Sequence, residues 1–286
     1  MKIKEIIKQG NSVLKKNNFD DSLIISKELL CFILKQSKQY LVIHMEEEIE
    51  DELYHKFVNY IEQIISGKPL QYITHKQEFM GIEFYVDENV LIPQPDTEIL
   101  VEKVLDICSK GLKGKTIKIL DLCTGSGAIA ISLKKILNEN NIANEIIASD
   151  VSSEALYVAK ENSKRQNVEV KFETSNLFDS IEENGFDIIV SNPPYIKEHI
   201  INELSKQVQI EPRIALSGGK DGLYFYKKIA NEAYQHIVKG GYLCLEIGYD
   251  QRKEVLDILK EHEQYTESEV IKDLSNNDRC IISKII

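Results

Sequence analysis

The sequence predicts an α/β protein in which a doubly wound, mostly parallel sheet follows a small helical bundle. Three observations support this fold class. Apolar residues recur at helical spacing through residues 1–66, short β-branched strands alternate with amphipathic helices from Asp96 onward, and a glycine-bearing turn joins the first of these strands to its helix. Repeated strand–helix units imply parallel strands with right-handed crossovers.

The first predicted domain, residues 1–66, has the apolar pattern of a helical bundle. Its longest helix is expected from about Glu50 to Ser66, where apolar side chains recur on one face. Gly67 is a natural end for this helix, and Pro69 prevents its continuation. Two interpretations of the domain stay open: it serves only in packing, as added domains often do, or it is a docking surface for a protein substrate.

Residues 67–95 are expected to form a linker built from a β-hairpin. Phe79 and the segment 84–86 flank Gly81, and the side chains around this glycine alternate with a period of about two. Pro93 and the second proline that follows shortly after it stiffen the passage into the next domain.

The α/β domain is expected to span residues 96–286. Its helices are predicted at about 97–109, 127–138, 152–165, 223–238 and 251–261, and its strands at about 117–121, 145–150, 168–173, 188–190 and 241–247. Two further strands, near 267–273 and 279–285, are joined by a turn, so they should form an antiparallel hairpin at the sheet edge. The segment 197–220 exceeds an ordinary connection, which leaves open a substrate-covering flap or a plain surface excursion.

The turn after strand 117–121 has the composition of a ligand site and reads DLCTGSG from Asp121 to Gly127. Gly125 and Gly127 allow a ligand to approach the backbone, and the start of the next helix supplies unpaired N–H donors. Asp150, at the end of the following strand, offers an acceptor for the hydroxyls of a ribose. Asp121 beside the turn favours a cationic ligand, because its charge would oppose that of a pyrophosphate.

A second stretch of this kind, Asn192-Pro193-Pro194-Tyr195, follows the uncharged β-branched strand 188–190. Two successive prolines prevent a helix and donate no backbone hydrogen bonds, so their carbonyls are not required for pairing with a neighbouring strand. The turn therefore offers an amide side chain, free carbonyls and an aromatic face at the sheet edge where open α/β sheets bind ligands. A plain strand-terminating turn is the alternative for these four residues taken alone.

Together, the two stretches and Asp150 resemble the class I S-adenosylmethionine-dependent methyltransferases that methylate planar nitrogens. The segments GKPLQYI, from Gly67 to Ile73, and LIPQPDTE, from Leu91 to Glu98, narrow the resemblance to the HemK/PrmC-type methyltransferases, which modify a glutamine of peptide-chain release factors. The resemblance covers nearly the whole chain and implies a seven-stranded, Rossmann-like class I methyltransferase domain. Gln94 departs from the arginine that the family usually has, and Asn176 departs from the more usual aspartate.

The same resemblance implies how the site residues are used. The cofactor S-adenosylmethionine, with S-adenosylhomocysteine as its product, would contact Cys123, Thr124, Gly125, Ser126, Gly127, Asp150, Leu177 and Asn192. The substrate amide would be bound by Asn192, Pro193, Pro194 and Tyr195. A buried amide NH₂ has two donors that need acceptors, and the Asn192 side-chain oxygen and the Pro193 carbonyl are implied as those acceptors. Tyr195 would pack on the plane of the amide.

Composition narrows the class of protein. Hydrophobic residues make up 43% of the chain and charged residues 28%, which is typical of a packed globular protein. No apolar run approaches a membrane span or a signal-peptide core. The five cysteines show neither a disulfide framework nor a metal spacing, so we expect a cytoplasmic protein without a metal.

The resemblance implies class I release factors as partners and N5 of the glutamine in their Gly-Gly-Gln motif as the target. The nearest alternative is a DNA adenine-N6 or RNA guanine-N2 methyltransferase, because the same proline-rich turn serves any planar NH₂ group. The net charge of −11 disfavours direct binding of nucleic acid. Two other classes stay open. One is a cofactor-binding regulator without turnover, and the other is an NAD-dependent oxidoreductase, since Gly125-x-Gly127-x-x-Ala130 also fits a dinucleotide-binding pattern.

Overall fold

The computed structural model of the protein describes residues 1–112 and 114–286. This part of the chain divides into two compact units. One unit contains Met1–His75 and Ser205–Ile210, and the other contains Lys76–Leu204 and Glu211–Ile286. Within the described residues, no helix combines the length and the apolar character needed to cross a membrane.

The smaller unit is helical, and its elements are α1 (Ile3–Lys16), α2 (Ser22–Leu34), α3 (Lys38–Ile43), α4 (Asp51–Ser66), α5 (Leu70–Thr74) and, from its second segment, α9 (Lys206–Ile210). The apolar faces of α1 to α5 meet in one core. Gly10 is required where α1 meets its neighbours, because a Cβ there would come within 2.6 Å of Phe57 Cζ and 2.8 Å of Ser26 Oγ. Gly67, with a φ of +116°, ends the long helix α4 as the sequence predicts.

The larger unit contains a small hairpin, a seven-stranded sheet and helices on both faces of that sheet. Its elements are β1 (Gln77–Phe79), β2 (Ile82–Phe84), α6 (Pro95–Gly111), β3 (Ile117–Leu122), α7 (Ala128–Glu139), β4 (Asn144–Asp150), α8 (Ser153–Gln166), β5 (Lys171–Thr174), β6 (Phe186–Ser191), a 3₁₀ turn (Ile201–Glu203), α10 (Arg213–Leu216), α11 (Tyr224–His236), β7 (Ile237–Glu246), α12 (Arg252–Lys260), β8 (Tyr265–Lys272) and β9 (Asp278–Ile285).

The strand order of the sheet is β5-β4-β3-β6-β7-β9-β8. Strands β3 to β7 pair in parallel, and β9 pairs antiparallel with both β7 and β8. The predicted doubly wound sheet with a terminal antiparallel hairpin is therefore confirmed. Alternate residues of the central strands enter opposite cores: Ile188 and Val190 pack on one face, and Ile189 packs on the other. Every residue of β6 is buried, as the uncharged run predicts.

Three local predictions were wrong. Residues 70–74, assigned to a linker hairpin, form α5 before the hairpin begins. Strand β5 starts at Lys171 and not at 168, because Asn167 takes a left-handed conformation that ends α8 and Val168 N donates to Ser163 O. Strand β7 starts at Ile237 and not at 241, because its glycine pair lies inside the strand where the pairing with β6 is irregular.

Candidate active site

The carboxyl ends of β3, β4 and β6 surround a cavity with an empty volume of about 670 Å³. Strand β3 lies between β4 and β6, so the strand order reverses direction at β3. Open α/β sheets bind ligands at such a reversal, beyond the carboxyl ends of the strands. Six residues predicted for the site line the cavity: Cys123, Gly125, Asp150, Leu177, Asn192 and Pro194. The other predicted residues, Thr124, Ser126, Gly127, Pro193 and Tyr195, are outside its lining.

The glycine turn after β3 curves through three residues with positive φ, at +60° for Cys123, +54° for Gly125 and +81° for Gly127. A Cβ on Gly125 would meet no atom within 4 Å, so a ligand can approach the backbone there. A Cβ on Gly127 would come within 2.7 Å of Ile131 Cδ1. The two glycines therefore differ in function: Gly125 faces the cavity, and Gly127 permits close packing at the start of α7.

The buried carboxyl group of Asp121 holds this turn in place through hydrogen bonds. Asp121 Oδ2 accepts hydrogen bonds from Thr124 Oγ1 (2.6 Å) and from the backbone N of Ala130 (3.2 Å). Burial raises the pKa of Asp121 to about 7. The buried residue Ser126 is fixed through its carbonyl, which accepts a hydrogen bond from Asn162 Nδ2 (2.9 Å). Thr124, Ser126 and Asp121 thus shape the turn without lining the cavity.

Asp150 joins the glycine turn to the next strand end. Its Oδ2 accepts from the backbone N of Gly125 (2.9 Å), and its Oδ1 accepts from the backbone N of Ser152 (3.0 Å). Burial raises the pKa of Asp150, and these two hydrogen bonds oppose the rise. The carboxylate is consequently fixed in orientation at the cavity wall, and each oxygen retains acceptor capacity for a ligand hydroxyl.

Several residues of the cavity lining are apolar. Leu177 lies there at a φ of +55°, together with Val151 and Phe225. Asn176, which stands where the family pattern has aspartate, also lines the cavity, and its Nδ2 donates to Asp179 Oδ2 (2.9 Å). The lining therefore offers apolar surface, which suits a flat aromatic ring, and a side-chain amide.

A half-buried thiol lines the same cavity. Burial, followed by the nearby charge of Asp150, raises the pKa of the Cys123 thiol, and a hydrogen bond with Ser191 only partly opposes the rise. Cys123 is therefore a neutral thiol in this site.

The proline-rich turn after β6 is held by hydrogen bonds at both of its polar side chains. Asn192 Nδ2 donates to Thr97 Oγ1 (3.1 Å), which leaves Asn192 Oδ1 available as an acceptor. The Tyr195 hydroxyl donates to Glu246 Oε1 (3.4 Å), and the Tyr195 carbonyl accepts from Gln251 Nε2 (3.0 Å). Burial raises the pKa of Tyr195, so its hydroxyl stays protonated and remains a donor.

Sequence reasoning missed Thr97 and Glu246 as members of this site. Thr97 lies in the LIPQPDTE segment, but its side chain was given no function. Glu246 is an acidic residue at the carboxyl end of the apolar strand β7, the same signal that identified Asp121 and Asp150. That signal was available in the sequence, and applying it to every strand would have found Glu246.

Two loops that line the cavity are tied to each other. The backbone N of Ile92 donates to Glu211 Oε2 (2.9 Å), and burial raises the pKa of Glu211 to about 7. Ile214 and Ala215, shortly after Glu211, line the cavity, so part of the long segment 197–220 borders the site. Gln94, which stands where the family pattern has arginine, donates from Nε2 to the Ile92 carbonyl (2.9 Å).

Comparisons with known proteins agree with this architecture. Residues 95–211 match the family described as methyltransferase small domain, and residues 5–74 match the PrmC N-terminal domain. A release factor glutamine methyltransferase from Clostridium acetobutylicum is 41% identical over 99% of this chain and 98% of its own length. One from Bacillus anthracis is 35% identical over the full length of both chains.

Solved structures share the fold at lower identity. A methyltransferase from Pyrococcus furiosus has a TM-score of 0.50 and 21% identity, and the match covers 79% of this chain and 98% of that one. A 16S rRNA N2 G1207 methyltransferase from Thermus thermophilus, in complex with AdoMet and guanosine, has a TM-score of 0.51 and 17% identity over 74% of this chain and 50% of that one. By its full-length relatives, the chain belongs to the family of release factor glutamine methyltransferases.

Proposed function

We propose that the protein transfers a methyl group from S-adenosylmethionine to the side-chain amide nitrogen (N5) of the glutamine in the Gly-Gly-Gln motif of class I peptide-chain release factors, and so supports translation termination. The observation that carries the proposal is a single cavity bordered by Asp150 and the Gly125 turn and also by Asn192. One region of the cavity suits a nucleoside, and another presents an amide oxygen as an acceptor.

The residues of the cavity fit S-adenosylmethionine. Asp150 accepts hydrogen bonds from the ribose hydroxyls, and Gly125 lets the backbone approach the ligand without a side chain between them. Leu177 packs beside the adenine. When bound, S-adenosylmethionine supplies an electrophilic methyl group on its sulfonium.

The proline-rich turn positions the substrate amide. Asn192 Oδ1 and the Pro193 carbonyl accept the two N–H bonds of the glutamine amide, so the nitrogen is held with one face toward the methyl donor. Tyr195 packs on the amide plane, and Pro194 closes the cavity beside it. Alignment of this kind is worth about 7–11 kcal/mol in well-oriented systems, so positioning is the main catalytic contribution. An alkylated, protonated amide is acidic enough to lose its proton to water, and no strong general base is needed.

The helical unit is the second part of the proposal. It contains the region that matches the PrmC N-terminal domain, residues 5–74. We assign it the docking of the release factor, because the cavity lining comes entirely from the other unit and recognises only a small amide. The glycines that precede the target glutamine carry no side chains, so the glutamine can enter a narrow cleft.

The test is mass spectrometry of a class I release factor incubated with the protein and S-adenosylmethionine. We expect one added methyl group on the glutamine of the Gly-Gly-Gln motif. A release factor carrying glutamate there is the control, since a carboxylate lacks NH₂ and would face Asn192 acceptor to acceptor. Duplex DNA and ribosomal RNA are offered in parallel, and preferential methylation of either nucleic acid would contradict the proposal.

A further inference from the structure

We propose that Gln251 is a positioning residue that holds the proline-rich turn against the segment 213–222, and so fixes the part of the cavity where the substrate amide binds. The inference deepens the proposed function and rests on it for the identity of the substrate. Its structural observation is independent of any substrate. Gln251 is 4% exposed, and its side chain makes hydrogen bonds to the turn, to that segment and to the loop after β7.

The NH₂ group of Gln251 joins two backbone carbonyls that are distant in the chain. Its Nε2 donates to the Tyr195 carbonyl (3.0 Å) and to the Gly222 carbonyl (3.1 Å). An amide NH₂ has two protons, so both are used. One buried side chain therefore links the end of the proline-rich turn to the end of the segment 213–222.

The neighbours of Gln251 allow only one orientation of its amide. Gln251 Oε1 accepts from the backbone N of Gly248 (2.9 Å), which can only donate, whereas the two carbonyls can only accept. Gln251 directly precedes α12, where a side chain often caps the helix, but it makes no such hydrogen bond here. The side chain is therefore committed to the link and not to its own helix.

The two linked segments lie in close backbone contact. A Cβ on Gly222 would come within 2.5 Å of the Tyr195 carbonyl oxygen, and a Cβ on Gly218 would come within 2.8 Å of the Pro194 carbonyl oxygen. The backbone N of Gly218 also donates to the Ile196 carbonyl (2.9 Å). The proline-rich turn and the segment 213–222 are thus packed together without a side chain of these glycines between them.

Both segments contribute to the cavity. Asn192 and Pro194 line it from the turn, and Ile214 and Ala215 line it from the other segment. Gln251 itself is outside the lining. A change at Gln251 should therefore displace the acceptors that hold the substrate amide without removing any contact to S-adenosylmethionine, and small displacements of reacting groups are costly to catalysis.

The kinetic test uses the intact protein with Gln251→Glu and Gln251→Met variants. Gln251→Glu keeps the shape and the acceptor for Gly248 but turns a carboxylate oxygen toward two carbonyls. Gln251→Met removes the donors without burying a charge, and it serves as the test if Gln251→Glu does not fold. We expect either variant to lower kcat for release-factor methylation by about tenfold to a hundredfold, with the affinity for S-adenosylhomocysteine within about twofold of the parent's. Calorimetry counts the S-adenosylhomocysteine sites, and kcat is expressed per site, so unfolded protein does not lower it.

The second readout needs no substrate. The backbone N of Ile196 donates to the Leu216 carbonyl (2.9 Å), and the backbone N of Gly218 donates back to Ile196. The amide protons of Ile196 and Gly218 should exchange with solvent faster in both variants than in the parent, as measured by nuclear magnetic resonance. Tyr265→Phe is the stability control, because it removes a buried hydrogen bond to the Ala230 carbonyl (2.8 Å). It should leave kcat per site and both exchange rates unchanged.

Three results would overturn the positioning inference. They are unchanged exchange at Ile196 and Gly218 in both variants, faster exchange with an unchanged kcat, and equal changes in Tyr265→Phe, which would show that lost stability alone accounts for them. A parent that is inactive on release factors contradicts the proposed function alone, because the exchange rates still test the link that Gln251 makes.

Discussion

Asp150 is the residue whose removal tests the cofactor region most directly. Asp150→Ala should weaken S-adenosylhomocysteine binding by about 1.5–3 kcal/mol, because a charge-assisted acceptor for two hydroxyls is lost. Asp150→Asn keeps the shape and one acceptor oxygen and should weaken binding less. Calorimetry measures both affinities, and Glu154→Ala, which removes an exposed carboxylate outside the cavity lining, is the control. An unchanged affinity in Asp150→Ala would remove this residue from the site.

Glu211 makes stability depend on pH. Its folded pKa is about 7 against an ordinary value of 4.5, so its protonated form is favoured by folding. The stability it contributes is fully present below about pH 4.5 and is lost as the pH rises through 7. As the pH rises from about 4.5 to about 7, the free energy of unfolding of the parent should therefore fall relative to that of Glu211→Gln by on the order of 3 kcal/mol.

Urea unfolding of the parent and Glu211→Gln at a series of pH values measures this difference. Glutamine can still accept the hydrogen bond from the backbone N of Ile92 through its own oxygen, so the geometry of the tie is retained. Glu203→Gln, at an exposed position nearby, controls for the loss of one negative charge. If the free energies of unfolding of the parent and Glu211→Gln changed in parallel with pH, Glu211 would not be the source of the pH dependence.

At the scale of the element, the packing of α1 depends on one position without a side chain. Gly10→Ala should destabilise the helical unit by about 1–3 kcal/mol, because the new Cβ would come within 2.6 Å of Phe57 Cζ in a closed core. Ser12→Ala, on an exposed position of the same helix, is the matched control, since both substitutions favour helix formation. Thermal unfolding followed by circular dichroism should show a lower melting temperature only for Gly10→Ala.

The elements also show where the sequence was sufficient and where it was not. The Gly125 turn and Asp150 could be predicted because each lies at the end of a strand that its own local pattern defines. The start of β7 could not, since a glycine pair usually marks a turn and lies inside a strand here. Thr97 and Glu246 are far apart in the chain. The hydrogen bonds from Asn192 to Thr97 and from Tyr195 to Glu246 form only in the folded chain, so no local pattern could predict them.

At the scale of the whole molecule, the two units should be separable in function. All cavity-lining residues belong to the larger unit. A chain without residues 1–75 should therefore retain its affinity for S-adenosylhomocysteine and its rate on a short peptide that contains Gly-Gly-Gln. Its rate on an intact release factor should fall, because the proposed docking surface is gone.

The comparison of the peptide with the intact factor is the control for damage to the catalytic unit. The segment Ser205–Ile210 packs within the helical unit, as the close approach of Lys206 to Gly67 shows, and its membership could not be predicted from a local pattern. In the shortened chain, Ile210 is replaced with serine to limit the apolar surface that the removal of residues 1–75 uncovers. Equal rates on the intact factor with and without residues 1–75 would reduce the helical unit to a stabilising function.

The neutral thiol of Cys123 bears on how the protein avoids alkylating itself. A thiolate is a far better nucleophile than a carboxamide, and Cys123 lines the cavity that would hold an activated methyl group. Burial and the charge of Asp150 keep the thiol protonated, so Cys123 Sγ does not react with the methyl group. The methyl group can then be transferred to the carboxamide nitrogen, although that nitrogen is the weaker nucleophile. Prolonged incubation with S-adenosylmethionine alone should accordingly leave no S-methylcysteine at this position in a peptide map, and rapid formation of that adduct would show that the thiol is ionised.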